Sequence, residues 1–360
     1  MKLCLIGQNL TNLILATVLA EKKLSIDLYI NNKPYKVNTN RTIAISAKNF
    51  SYLKRYSKSI IPTWRSKEIK IFIENGISRE IINFQNKKNE VFNLSKYSDL
   101  SKIFLNKAKK SKNINFIKLN ASNFTLISKI KKYDLVINTD SKNIVSRKYF
   151  INNLKKNYKS TAYTFIINHE KNTNIIAMQI FTKFGPLAFL PISNSKTSIV
   201  FSYSGKPKSD NEILNLFNNY NNFYKIKKIS EIEKFHLSFL MLRNYTNKNI
   251  LAFGDLIHRI HPLAGQGFNM TIRDIKNLSN LIDKQISLGL PIDISVANEF
   301  EKLAKPKNYL YGRAIDFVHE FFQFDSKVKN LISKPLFSLL NKNSFFKKYS
   351  NIFSEKGFDI

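Results

Sequence analysis

Cysteine is nearly absent: Cys4 is the single one in 360 residues. One thiol excludes an internal disulfide and fits a reducing compartment. It lies in the apolar run LCLI and reads as a small core residue, not a nucleophile. Acidic residues are scarce too, 25 against 58 lysines and arginines, for a net charge of +33. Such a balance invites a nucleic-acid or anionic-membrane partner. Yet arginine, the residue for bidentate phosphate and base contacts, supplies only nine of those cations. The lysine clusters KAKKSK (107–112) and KIKK (225–228) are short and scattered. No nucleic-acid partner is expected, and the charge reads as solvated surface with weak attraction to anionic surfaces. No run reaches the roughly 18–20 apolar residues needed to span a bilayer. The apolar N-terminus could pass for a signal peptide ending at Ala20, but GQNLTN (7–12) interrupts it with polar side chains. A strand, a turn and a helix describe it better, and a cytoplasmic location, at most peripheral to the inner membrane, is expected. Glycine is short as well, ten residues in all, below the usual share of about 7%. Three of the ten, with two of the five histidines, crowd into GDLIHRIHPLAGQGFNM (254–270).

What is present is ample for a core: 43% hydrophobic residues, 13% aromatic. The length allows one large domain or two modest ones, at about 100–200 residues each. Residues 2–6 read as a buried strand, 10–22 as a helix and 25–30 as a second strand, a β-α-β unit that implies a parallel sheet. RTIAIS (41–46) follows, then a helix near 49–57, short strands and turns over 68–94, and a helix over about 98–111. YDLVINTDS (133–141) reads as a strand whose polar tip faces a ligand. From 163 to 204 the pattern changes to YTFIINHE, IIAMQIFT, LAFLPI and TSIVFSYS, strands joined by short turns, as in an antiparallel sheet. After NILAFGD (249–255) the chain reads as helical, over 267–288 and about 294–349. There is no internal repeat.

The segment GDLIHRIHPLAGQGFNMTIRDIKNL (254–278) resembles the C-terminal FAD motif of aromatic-ring flavin monooxygenases, in particular the hydroxylases of ubiquinone biosynthesis. Their pattern runs GD-x-x-H-x-x-x-P-x-x-GQG-x-N, with an Asp in the following helix. Gly254, Asp255, His258, Pro262, Gly265, Gln266, Gly267, Asn269 and Asp274 all match. FTKFGPLAFLPIS (181–193) resembles the substrate-domain stretch of the same group, and RTIAIS its early arginine segment, with Arg41. The resemblance covers nearly the whole chain in order. It implies an α/β fold with a Rossmann-like, p-hydroxybenzoate-hydroxylase-like FAD-binding domain at 1–67, 95–155 and 241–288. An antiparallel-sheet substrate domain (68–94 and 156–240) is inserted, and a helical region (289–360) follows.

The same resemblance places Asp255 on the ribityl hydroxyls and the helix opening near Phe268 against the flavin. Backbone N–H groups and the positive dipole end would there meet the negative pyrimidine edge of the reduced ring. Gly265 and Gly267 would let backbone lie against the flat ring, where a Cβ would collide. Pro262 stiffens the loop, and His258 and Pro262 are the flavin-loop candidates for a catalytic part. His261 stands outside the core pattern; for either histidine the alternative is a plain structural hydrogen-bonder, and neither has metal-site spacing. Phe189, Leu190 and Pro191 are expected either to line the substrate cavity or to be ordinary core residues of a strand.

The N-terminal fingerprint departs from the pattern. GQNLTN keeps Gly7 but puts Asn9 and Asn12 at the second and third positions of G-x-G-x-x-G. Asparagine tolerates left-handed backbone, so the turn is expected to survive with side chains in the space meant for pyrophosphate. The second strand ends in Ile30 and Asn31, not in the acid that binds adenosine ribose. TDSKNIVSR keeps Asp140 and Arg147 but has Ser141 for glycine. FAD is therefore expected to be held more loosely than usual, at Gly7, Asn9, Asn12, Arg41, Asp140 and the 254–269 loop; the alternative is that Gln8, Asn9 and neighbouring backbone amides replace the missing contacts. The resemblance implies an NAD(P)H-dependent monooxygenase that hydroxylates a prenylated phenol of ubiquinone biosynthesis through a flavin C4a-hydroperoxide formed with O2. The alternative is a catalytically weakened flavoprotein-fold subunit, a scaffold or lipid-presenting component of that pathway. The aromatic, basic tail from 317 to 353 suits docking on a membrane surface or on partner subunits of a biosynthetic complex, or packing on its own sheet.

Overall fold

The computed structural model describes residues 2–31, 40–74, 82–85, 90–119 and 123–327. The first strand, β1 (Lys2–Ile6), is apolar and ends at Gly7. The first helix, α1 (Leu10–Ala20), is buried on every side, as an all-round apolar composition requires. Both belong to a six-stranded sheet in the order β16 (Thr246–Asn247), β17 (Ile250–Ala252), β9 (Leu135–Asn138), β1, β2 (Ser25–Asn31), β8 (Ile114–Leu119). All neighbours are parallel except β16 with β17. The strand order reverses at β1, so the sheet is doubly wound with its switch point between β1 and β9. Cys4 lies in β1 at 0% exposure, where burial pushes its thiol well up, in keeping with a core role.

A three-stranded antiparallel sheet, β3 (Thr42–Ser46), β7 (Phe92–Lys96) and β4 (Trp64–Ser66), flanks this unit. With it come the helices α2 (Ala47–Ser57), α3 (Tyr97–Lys109), α4 (Asn123–Ile130) and α5 (Ile144–Tyr149). The large sheet runs β18 (His258–Arg259), β15 (Glu233–Leu242), β10 (Asn153–His169), β13 (Lys196–Ser204), β12 (Gly185–Ser193), β11 (Ile176–Thr182), β5 (Glu68–Ile73), β6 (Ile82–Gln85). The short strand β14 (Ile226–Ile229) pairs with β10. Its outer face is covered by α6 (Asp210–Asn218), whose Ile213 and Phe217 pack with Phe165, Phe189 and Phe201.

The antiparallel sheet expected from 163 to 204 is present, but β10 begins ten residues earlier. Its first half, NLKKNYK, is half solvated and lysine-rich, so it lacks the apolar signal of a strand. Strands β7, β10 and β15 run through the seams expected at 94/95, 155/156 and 240/241, so the two units share strands. The final helices among the described residues are α7 (Gln266–Ser287) and α8 (Ile294–Lys327). The part of the expected last helix beyond 327 lies outside the described residues. Among the described residues no helix is long and apolar enough to cross a membrane.

Candidate cofactor site

Three parallel strands deliver the site. The register pairs Ile6 with Asn138 and Asn138 with Ala252, so β1, β9 and β17 end side by side. Just beyond those ends stand Gly7, Asp140 and the Gly254–Asp255 pair. This is the carboxyl edge of the sheet, where ligands of doubly wound folds bind.

Gly7 has φ +116°, and a Cβ there would come within 2.9 Å of Thr139 Oγ1, so the tight turn after β1 is intact. The asparagines behave differently from the expectation. Asn9 has φ −119°, extended backbone open to any residue, and Asn12 is helical; neither holds a left-handed position. Asn9 instead caps α1. Its Oδ1 accepts from Asn12 N at 3.0 Å, while its Nδ2 donates to Thr139 Oγ1 at 2.8 Å and Thr139 O at 3.3 Å. Asn12 is fully buried and donates from Nδ2 to Gly7 O at 2.8 Å. The amide of Leu10, in the same first turn, donates to Tyr97 Oη at 3.4 Å. Arg41 lies over the Tyr97 ring, 5.0 Å from its centre, and its carbonyl accepts from Tyr97 N. Asp140 is half-buried, with Oδ1 taking the Lys142 amide at 2.8 Å and its carbonyl taking Ser146 Oγ at 2.5 Å. Ser141 is not at positive φ, so losing glycine there costs no strain.

At the other end, Gly254 has φ +63° and a Cβ would meet Thr11 Cγ2 of α1 at 2.9 Å. It opens a short 3-10 turn that leaves the Asp255 carboxylate exposed. The loop then returns through β18 to Pro262, a second 3-10 turn (Leu263–Gly265), and α7. Gly265 is the N-cap of α7 in left-handed conformation (φ +65°) and offers no side-chain cap, while the Gln266 amide turns back to the Leu263 carbonyl. Its Cβ would sit 3.0 Å from Ala44 Cβ of β3. Gly267 is helical, and a Cβ there would make ordinary contact with Ile260 at 3.6 Å. Of the two glycines expected to spare a flat ring, Gly265 is required by the protein's own chain, and Gly267 has room for a side chain.

The motif's polar residues divide between holding the loop and facing the site. Asn269 is fully engaged: Oδ1 accepts from Ser46 N and Asn49 Nδ2, each at 3.0 Å, and Nδ2 donates to Ala44 O at 2.9 Å. It stitches α7 to β3 and α2. His258 is buried with Nε2 2.8 Å from Asp274 Oδ2, which also accepts from Asn308 Nδ2 at 3.1 Å. His258 is therefore an anchor between the loop, α7 and α8. Gln266 accepts from Tyr311 Oη of α8, and Phe268 packs on the core of the parallel-sheet unit. His261 is buried with neither ring nitrogen hydrogen-bonded, against the expectation of a hydrogen-bonder. It stacks on His319 of α8, centroids 4.0 Å apart, with Tyr158 edge-on to both rings.

Strand alternation divides the three residues Phe189, Leu190 and Pro191 between the two faces of the sheet. Phe189 points outward beneath α6, stacked near Phe217 and Tyr224, and Pro191 shares its parity. Leu190 alone faces inward, toward Ala44, Phe92 and Leu94. Phe181 is on this inner face too and packs on Leu263 of the loop, so the inner face is the one turned to the loop. The register adds residues that sequence reasoning did not single out: Gln179, Ala188, Val200 and Thr164 in one row, Leu190 and Ser198 in the next. Thr164 Oγ1 and Ser198 Oγ are buried without a hydrogen-bond partner. No local signal marks them, because parity comes from pairing. A cleft of about 940 Å³ between the end of β15 and α8, lined by Leu154, Met241, Tyr245 and Tyr309 among others, contains none of the expected site residues.

Tested against an FAD, the two ends differ. The ring end fits: an exposed carboxylate and a helix N-terminus with no side-chain cap, both built on glycines that tolerate no Cβ. The pyrophosphate end does not, because Asn9 and Tyr97 occupy the amides that phosphate oxygens would take.

Comparison with known proteins agrees with this frame. Residues 168–287 match the FAD binding domain family. The chain is 34% identical over 102 residues to the mitochondrial ubiquinone biosynthesis monooxygenase COQ6 of Dictyostelium discoideum, covering 28% of this chain and 21% of that protein. It is 25% identical over 186 residues to the ubiquinone hydroxylase UbiL of Rhodospirillum rubrum, covering 47% and 41%. The chain thus spans less than half the length of these relatives. Its fold is that of PqsL, a probable FAD-dependent monooxygenase from Pseudomonas aeruginosa, with TM-score 0.70, 14% identity and coverage of 92% of this chain and 99% of that one. CtdE, solved with FAD and a substrate, superposes at TM-score 0.69 with 14% identity over 90% of each chain.

Proposed function

We propose that this chain, homologous to ubiquinone-biosynthesis monooxygenases and carrying an FAD-binding domain, hydroxylates the ring of a prenylated phenol with a bound flavin, NAD(P)H and O2. The observation that carries the reading is the loop from Gly254 to Gly265: it leaves the Asp255 carboxylate exposed just beyond β17, packs through Leu263 on Phe181 of the large sheet's inner face, and opens α7 with no side-chain cap. When bound, the flavin supplies the redox and oxygen chemistry. Asp255 accepts from ribityl hydroxyls, and the amides after Gly265 stabilise negative charge on the ring's pyrimidine edge. His258, Asp274 and Asn269 keep the loop from shifting, so those amides stay aimed. Ala188, Leu190 and Val200 form an apolar wall that excludes water, and Gln179, Thr164 and Ser198 offer the phenol polar contacts. The test is NAD(P)H oxidation and O2 uptake by flavin-loaded protein, with and without a prenylated phenol. Stimulation together with a hydroxylated product is the expected result, and oxidation indifferent to the phenol removes the reading. The closed pyrophosphate end favours a second reading, a weakened scaffold subunit of the same pathway, which phenol-dependent turnover would eliminate.

Access to a water-insoluble substrate fits the outer side of α8. Leu303, Leu310, Phe317 and Phe324, spaced every seven residues, are 48%, 62%, 67% and 57% exposed. Lys302, Lys307 and Arg313 flank the row and are exposed. An apolar strip with basic flanks on a chain of net charge +33 suits an anionic bilayer surface.

A further inference from the structure

The same site separates the flavin molecule into a half that is recognised and a half that is not. We infer that the protein binds its flavin through the isoalloxazine and ribityl portion alone, so that FAD, FMN and riboflavin bind alike. The inference rests on the flavin reading above and adds which part of the cofactor the chain selects.

A dinucleotide crosses a doubly wound sheet at the switch point, here the crevice between the ends of β1 and β9. Asn9 bridges that crevice, anchored at three atoms: Oδ1 on Asn12 N at 3.0 Å, Nδ2 on Thr139 Oγ1 at 2.8 Å and on Thr139 O at 3.3 Å. Pyrophosphate binding also needs open amides in the first turn of α1. Asn12 N is taken by Asn9 and Leu10 N by Tyr97 Oη. A glycine at residue 12 would leave space between the turn and the helix. The Asn12 side chain fills it and is tied to Gly7 O at 2.8 Å. Farther along, β2 ends in Ile30 and Asn31, so no carboxylate stands there to take the adenosine ribose. Four separate features therefore remove the adenylate contacts: the Asn9, Asn12 and Tyr97 side chains fill or tie up the turn, and the acid at the end of β2 is missing. At the ring end no N-cap side chain closes the helix, although the Gln266 amide bonds to the Leu263 carbonyl. Gly254 and Gly265 keep their left-handed turns, and α7 has no side-chain cap. A cofactor anchored only at that end gains nothing from an attached adenylate.

Fluorescence-quenching titrations of the full chain with FAD, FMN and riboflavin test this, with ADP-ribose as competitor. They are run at low and high salt to remove the general pull of the positive charge on phosphates. Three dissociation constants within tenfold at high salt, with no displacement by ADP-ribose, are expected. FAD binding tenfold or more tighter than both others, with ADP-ribose competing, overturns the inference and leaves the flavin reading standing. Absence of binding by all three overturns both. Asn9→Gly, which opens the crevice, should tighten FAD at least tenfold and leave riboflavin unchanged. Tyr97→Phe, which frees the Leu10 amide but keeps a ring beneath Arg41, should shift FAD the same way. Melting curves confirm that each variant is folded, and a folded pair that changes FAD and riboflavin equally, or changes neither, sinks the account of closure.

Discussion

Gly265 and Gly267 sit two residues apart in one loop and carry unequal constraints. Gly265 holds φ +65° with Ala44 N, O and Cβ all within 3.3 Å of a would-be Cβ. An alanine there must adopt left-handed backbone and also push β3 aside. Gly265→Ala should cost about 1–3 kcal/mol of unfolding free energy. Gly267 lies in helical conformation with open space, so Gly267→Ala should be neutral or stabilise by up to about 1 kcal/mol through helix propensity. Denaturant unfolding of the two variants measures the contrast, and equal effects would contradict the packing described here. The motif spells both residues with the same letter; only their backbone angle and packing tell them apart. His258 and Asn269 teach the same lesson. They match the motif of a cofactor loop, yet their side-chain partners are protein atoms, and their part is to position.

Among the elements, α8 does the most varied work. Its inner side holds Asn308 on Asp274, Tyr311 on Gln266, His319 on His261 and Phe322 on Phe181, thereby reaching the loop, α7 and the large sheet. Its outer side shows the exposed row from Leu303 to Phe324. Replacing Leu310 and Phe317 together by Glu leaves that inner side untouched, so the fold should persist. Co-sedimentation with vesicles containing an anionic phospholipid should then fall at least fivefold, while Lys307→Glu with Arg313→Glu should weaken binding chiefly at low salt. Undiminished binding by the apolar double variant removes α8 as the docking face. An apolar row with seven-residue spacing is visible in the sequence, but its outward orientation is decided by which residues the sheet covers.

At the scale of the molecule, the stacked histidines couple the loop to α8 and make stability depend on pH. Burial, and then the neighbouring His319, hold His261 well below the usual imidazole range of 6.5. His319 is lowered from 6.5 to about 4 by burial, which outweighs the upward pull of Asp316. Both groups are easier to protonate in the unfolded chain. The stability they permit is complete above pH 6.5 and is lost as pH falls toward 4, up to about 3 kcal/mol for His319. The melting temperature should therefore drop between pH 7 and pH 5. His319→Phe, which keeps a ring on His261, should flatten that drop. A slope unchanged by this variant would place the acid sensitivity elsewhere.

The sequence alone determined the β-α-β start, the antiparallel run from 163 to 204, the two closing helices as far as 327, and the glycine loop, because each rests on local period or on backbone geometry that side-chain chemistry reveals. The eroded turn was also legible at Asn9, Asn12 and Asn31. What those asparagines do was not. Whether Asn9 holds a strained backbone or spans to Thr139 depends on a strand 130 residues away. Likewise, Phe189 and Leu190 are adjacent letters with opposite faces, and only the pairing of β12 with β11 and β13 assigns them. Local structure follows from neighbouring residues, whereas an open or closed crevice depends on what distant segments place across it, and that only the tertiary structure decided.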